Sequence, residues 1–229
     1  AVGGGGVLFD ATALEPAILE GYVSHVRRLR AAGLDPARAG AVVRPAAHSL
    51  MGGVRIDAEC RSDVPGLFVV GEAAGGLHGA SRIAGNGGGE IIAFGRIAGA
   101  AAGRAARRRA GPARFETLAT QAWHRLLERC RRSVEATPED ELDRLGALMS
   151  RDCGIRRDGR ALAYARDEVR AWRKSRGEGP SVATARELAE DRSVLNALLC
   201  AEAILGAAET RTESRGAHQR RDHPATKES

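Results

Sequence analysis

Residues 71–90, GEAAGGLHGASRIAGNGGGE, hold the densest concentration of chemically useful groups in this sequence. Glycine recurs through the stretch, a glutamate follows its first glycine, and Arg82 stands inside it. The apolar run Leu67–Val70, announced by Pro65 and Gly66, predicts a short buried strand just before it. The segment IIAFGRIAGAAAGRAA predicts a helix just after it. A strand, a glycine-rich loop and a helix N-terminus together present backbone N–H groups and a positive dipole end to an anion or a polarised carbonyl. Upstream, RPAAHSLMGGVRID (44–57) places His48 in a loop shortly before paired glycines, and Val54–Asp57 alternates as a strand.

Other elements must hold these segments in place. Glycines 3–6 form a flexible joint before the apolar run Val7–Phe9. Leu14, Ile18, Tyr22, Val26 and Leu29 recur at helical steps, predicting one amphipathic helix over 14–32 that Gly33 ends. Val42–Arg44 is extended, with Pro45 biasing Arg44 that way. The composition shifts near residues 110–114, where Pro112 interrupts. A domain boundary is expected there, giving domains 1–110 and 111–229. Beyond it the pattern predicts helices over 115–135, 139–150, 160–173 and 182–209, a bundle with short joints. The tail from Thr210 is polar and is expected along the surface.

Composition narrows the functional classes. The chain has 229 residues and a net charge of +6, which alone would suit an acidic partner. Arginine supplies nearly all the cations, Lys174 and Lys227 being the only lysines, and it is mostly interleaved with Asp and Glu on helical segments. That is the pattern of solvated helix faces. Aromatics make up 3% of the chain, too few for a base-stacking surface, so no nucleic-acid partner is expected. The four cysteines (60, 130, 153, 200) are scattered without a CxxC, so no metal site is expected and free thiols in a reducing compartment are. Apolar runs are short and broken by charge or glycine, so no membrane span is expected.

Three blocks in order, RPAAHSLMGGVRID, VPGLFVVGEAAGGLHGASRIAGNGGGEIIAFGRIAG and TRTESRGAHQRRDHP, resemble the flavoprotein superfamily of succinate dehydrogenase, fumarate reductase and L-aspartate oxidase. GGVLFDATALEP and LMSRDCGIRRDGRALAYA match more weakly, so the resemblance covers nearly the whole chain, from just after the family's capping domain to near its C-terminus. It implies an α/β, Rossmann-like partial FAD-binding domain at 1–110 followed by an all-α helical bundle with a polar tail at 111–229. It also implies an FAD-dependent oxidoreductase that interconverts succinate and fumarate by hydride transfer at flavin N5, in the cytoplasm or peripheral to the inner face of the membrane.

Residue by residue, the resemblance assigns His48 and Arg82 to the carboxylates of a dicarboxylate substrate. Glu72 falls to the ribityl or ribose hydroxyls of FAD, and Gly87 and Gly88 to the flavin pyrimidine edge. Gly71 and Asn86 complete the cofactor-binding set. Arg215 and His218 fall in a tail signature with a docking role. An iron–sulfur or quinone-linked subunit is the implied electron partner. The family commonly has Asn at Ser81, and a Ser or Ala and then Leu within the run where Gly87–Gly89 stand. Five residues, AAGGL, separate GE from HGA where aspartate oxidases typically have six. No GxGxxG follows a strand near the start, and the capping domain with its proton-delivering arginine is missing. L-aspartate oxidase and a truncated, partner-dependent or inactive form remain as alternatives.

Overall fold

The computed structural model describes residues 6–44, 46–108, 117, 119–124, 137–176 and 184–228. The expected boundary near 110–114, Cys130 and most of the expected 115–135 helix lie outside the described residues. The chain divides into two compact units, Ala1–Leu50 and Met51–Ser229.

In the first unit, β1 (Val7–Phe9) pairs antiparallel with β2 (Ala41–Val43), Leu8 opposite Val42. Between them lie α1 (Pro16–Gly21) and α2 (Val23–Ala31), where the periodicity predicts one helix. Tyr22 breaks the run, leaving helical geometry at φ −87° and ψ 49°, with its amide bonded to the Leu19 carbonyl. Leu19, Val26 and Ala11 form a small core. Gly33, at φ +81°, closes α2: its amide donates to the Arg30 carbonyl and that of Leu34 to Leu29. This double closure needs a residue at ease in the left-handed region.

The second unit begins with turns instead of the expected strands over 54–57 and 67–70. Val54 makes a single parallel bridge to Ala74, and Arg61 a single antiparallel bridge to Phe68. Asp57 explains the shortfall: its carboxylate accepts from the amides of Glu59 and Arg61 and curls the chain out of extension. Of the expected buried run, Val69 is buried, while Leu67 and Val70 are largely exposed. The segment leads through a 3-10 turn at Gly71–Ala73 into α3 (Asn86–Arg108).

Three helices make the core of the C-terminal region: α4 (Pro138–Asp152), α5 (Gly159–Arg176) and α6 (Ala185–Thr210). Thr137 with Asp140 and Thr184 with Glu187 form capping boxes that start α4 and α6. Leu145, Leu148, Leu162, Val169, Val194, Leu198 and Leu205 interlock at the centre. By length and mean hydropathy (1.3), α6 is apolar enough to cross a membrane. Here it packs Val194, Leu198 and Leu205 into the bundle and pairs Glu202 with Arg170 and Arg173. Arg176, Glu141 and Asp191 form a buried charge cluster, with Arg176 2.6 Å from Glu141 and 2.9 Å from Asp191, and Trp172 Nε1 donating to Glu141.

The tail lies along the surface as expected, and a few of its residues anchor it. Arg220 is buried, and its Nη1 donates to the carbonyls of Ala208, Glu209 and Arg211 at the end of α6. Its Nε and Nη2 donate to Asp222 Oδ1 and Oδ2, and Oδ2 also accepts from the Gly159 amide at the start of α5. The Arg220 guanidinium, chiefly, holds the Asp222 carboxyl well below the ordinary carboxylate range. A two-residue strand, β3 (Arg156–Arg157), pairs parallel with β4 (Gln219–Arg220).

His218 sits beside this pairing, with Nδ1 2.8 Å from Arg157 Nη1 and Nε2 3.1 Å from the Arg211 carbonyl. A guanidinium only donates, so Nδ1 must accept and the proton must sit on Nε2. Burial first, and the neighbouring arginines with it, push the imidazole below its ordinary pKa. The folded chain therefore binds fewer protons here than the unfolded chain, so stability falls as pH drops below about 6.5. Urea unfolding between pH 7 and 5 should show this loss, and His218→Gln, which keeps an acceptor for Arg157, should flatten it. Leu198→Ala should cost about 2–5 kcal/mol in the same assay, the range for deleting a fully buried leucine side chain.

Candidate functional site

The two glycine motifs meet backbone to backbone. The Val54 amide donates to the Ala73 carbonyl (2.8 Å) and the Gly75 amide to the Val54 carbonyl (2.9 Å). A side chain at Gly53 would overlap the Ala73 carbonyl, with a Cβ only 2.8 Å from the Gly75 nitrogen. MGGV and GEAAGG are thus two halves of one crossing that only glycine permits. Gly71, at φ +67°, turns the chain into the 3-10 turn and lies against Ile91 of α3.

Gly85, at φ +89°, reverses the chain just before α3. The amide of Asn86 donates to the Ile83 carbonyl and that of Gly88 to Gly85. Gly87–Gly89 therefore form the first turn of α3, where the sequence pattern suggests loop. This turn carries no acidic residue, so the positive end of the helix is left uncompensated by a first-turn carboxylate. Apart from the helix's own backbone, nothing lies within 4 Å of where side chains at Gly88 and Gly89 would begin, so this face of the turn is open.

Arg82 is half-buried and reaches over this first turn, its Nη1 3.2 Å from the position a Cβ would take at Gly87. Arg82 and the Gly87 turn, both singled out in the sequence, are thus brought together. Glu72 is exposed on the 3-10 turn. His48 is exposed and belongs to the first unit, whereas Arg82 belongs to the second.

Sequence reasoning passes over a further pair. His78 Nε2 lies 2.7 Å from Glu90 Oε2, with both side chains largely buried. Glu90 Oε1 is also buried and has no hydrogen-bond partner among the described residues. The signal was one carboxylate at the head of an otherwise apolar helical run. Beneath α3, Cys60 is fully buried at φ +62°, with Sγ 3.8 Å from the Phe94 carbonyl. Burial, and secondarily Asp57, push its thiol pKa up, which keeps it protonated and unreactive.

Residues 3–87 match the model described as FAD binding domain, and residues 142–229 match that described as fumarate reductase flavoprotein C-term. L-aspartate oxidase of Rhodospirillum rubrum is 34% identical over 97% of this chain and 73% of its own length. The chain belongs to the fumarate reductase, succinate dehydrogenase and L-aspartate oxidase flavoprotein family.

Among other members of that family, the fumarate reductase flavoprotein subunit of Escherichia coli is 34% identical over 85% of the chain. The flavoprotein of E. coli quinol fumarate reductase superposes with a TM-score of 0.87 at 28% identity, covering 98% of this chain and 40% of that one. The Mycobacterium smegmatis Sdh1 complex gives 0.79 at 30%, covering 96% and 38%. The chain spans 38% of the Caulobacter vibrioides L-aspartate oxidase and 33% of the E. coli subunit. FAD is the cofactor of this flavoprotein family.

The crossing at Gly53 yields a test. Gly53→Ala must displace the Ala73 carbonyl, so amide exchange at Val54 and Gly75 should accelerate by roughly ten- to a hundredfold, the equivalent of about 1–3 kcal/mol of lost hydrogen bonding. Exchange in α5 and α6 should stay as in the wild type.

Proposed function

We propose that this chain forms the substrate-carboxylate and flavin-edge side of an FAD-dependent oxidoreductase that interconverts succinate and fumarate. Residues 1–110 serve as part of a Rossmann-like FAD-binding domain, and 111–229 as its helical domain. The carrying observation is the Arg82 guanidinium, set over the glycine turn that begins α3. A planar, permanently charged fork at that place holds a carboxylate in two parallel hydrogen bonds, which a lysine would not reproduce.

Each residue then has a task. Arg82, in the second unit, clamps a substrate carboxylate and fixes its orientation. His48, in the first unit, has the task of donating a hydrogen bond to a carboxylate. Glu72 accepts from hydroxyls of the cofactor. The Gly71 and Gly85 turns place Asn86 and the Gly87–Gly88 turn at the pyrimidine edge, where the helix dipole favours added negative charge. Bound FAD supplies hydride acceptance and donation at N5. A GxGxxG turn and a proton-delivering arginine come from polypeptide other than this sequence. An iron–sulfur or quinone-linked subunit receives the electrons, and the assembly sits in the cytoplasm or against the inner face of the membrane. Likeness to a quinol fumarate reductase flavoprotein supports this placement.

L-aspartate oxidase is the second reading, supported by the Rhodospirillum rubrum relative. A third reading, a partner-dependent or inactive form, is supported by the exposed apolar residues Val7, Leu8 and Phe9 on β1. The flavin-loaded protein containing this chain separates them. Fumarate reduction by reduced dye supports the first, aspartate-dependent peroxide release the second, and neither activity the third. In whichever enzyme results, Arg82→Ala should lower kcat/KM by roughly 10²–10³-fold while the visible flavin spectrum persists. Unchanged turnover would show that Arg82 is not the clamp.

A further inference from the structure

We infer that the C-terminal tail positions the Arg82 loop, through Gly216 acting as a buttress against Ala80. This rests on the reading of Arg82 as the carboxylate clamp, and it adds a residue far along the chain to that site.

The loop that carries Arg82 runs between two glycines. Gly79 (φ +58°) and Gly85 (φ +89°) flank it, both in the left-handed region that glycine enters without cost. Residues 79–81 and 83–86 are exposed. His78 ties the start of the loop to Glu90 of α3, and Arg82 rests on Gly87. Between these two points the loop meets the tail.

The tail forms a tight turn there. The Arg215 amide donates to the His218 carbonyl and the His218 amide to Arg215, leaving Gly216 and Ala217 at the tip. Gly216 has φ +58°, as a two-residue hairpin of this kind needs at its first central position. A Cβ at Gly216 would overlap the Ala80 carbonyl oxygen and stand 2.9 Å from the Ala80 Cβ. The turn tip is thus in full backbone contact with the loop, two residues from Arg82.

A buttress must itself be fixed, and this one is. Glu213 is buried and accepts from Arg211, Arg215 and the Lys227 amide. The Ser214 hydroxyl accepts from the Arg220 amide and donates its one proton to the His223 carbonyl at 2.9 Å, with the Arg220 carbonyl 3.2 Å away. Arg220 and Asp222 lock the following residues to the ends of α6 and α5. The helical core thereby holds one wall of the loop that presents Arg82.

Two measurements test the inference. In the 229-residue chain, Gly216→Ala should raise hydrogen exchange at residues 79–84 about tenfold, with α4–α6 unchanged. In the flavin-loaded enzyme, the same variant should raise KM for the dicarboxylate roughly tenfold, leave kcat within about twofold and keep the flavin spectrum, a smaller effect than the roughly hundredfold that a full ångström of misplacement can cost. Should Gly216→Ala fail to fold, Asp222→Asn, which loosens the tail at its Gly159 end, should raise exchange at 79–84 in the same way. Unchanged exchange there, or an unchanged KM in an enzyme that turns the dicarboxylate over, overturns the buttress. Absence of dicarboxylate turnover in the wild type overturns the substrate reading instead, and the exchange data still decide the buttress.

Discussion

The guanidinium of Arg220 ties the C-terminal region together. One nitrogen caps three carbonyls at the end of α6, and another pairs with Asp222, which takes the first amide of α5. A cation thus meets the negative end of one helix and an anion the positive end of the next. Burial raises the strength of both contacts and also the cost of breaking either. Without this hub the tail has no fixed path, β3 has no partner, and the turn that meets Ala80 has no foundation.

Helices were the most legible part of the fold, because their apolar faces repeat locally. The ends of α4, α5 and α6 fall within a few residues of the periodic segments, and the threonine boxes before α4 and α6 mark their starts. A single helix was expected over 14–32 because the apolar stripe runs through Tyr22 without interruption, whereas the backbone turns there and divides it. Periodicity records which face is buried and is blind to such a break. Val54–Asp57 and Leu67–Val70 mislead for a related reason: Asp57 has a side chain that competes for backbone amides, which alternation does not weigh.

In the site, residue types and spacing pointed to Arg82 and the glycine turn, and the structure brings them together. His78 with Glu90, and Gly216 with Ala80, were beyond such reading because their partners lie 12 residues away in one case and in a different domain-sized segment in the other. The tail lies along the surface as its polar composition suggests, but three of its polar residues, Glu213, Ser214 and Arg220, turn inward and are buried because they satisfy one another and the helix ends, which composition does not reveal.

The three glycines that open α3 carry a thermodynamic consequence. Each lowers helix propensity by roughly 0.8–1 kcal/mol relative to alanine, about 3 kcal/mol over the turn. Such a turn lies close to the balance between wound and unwound backbone, although the rest of α3 runs to Arg108. The start of α3 is thus where the helix can lengthen or shorten by one turn at little cost, while the alanine-rich remainder stays wound.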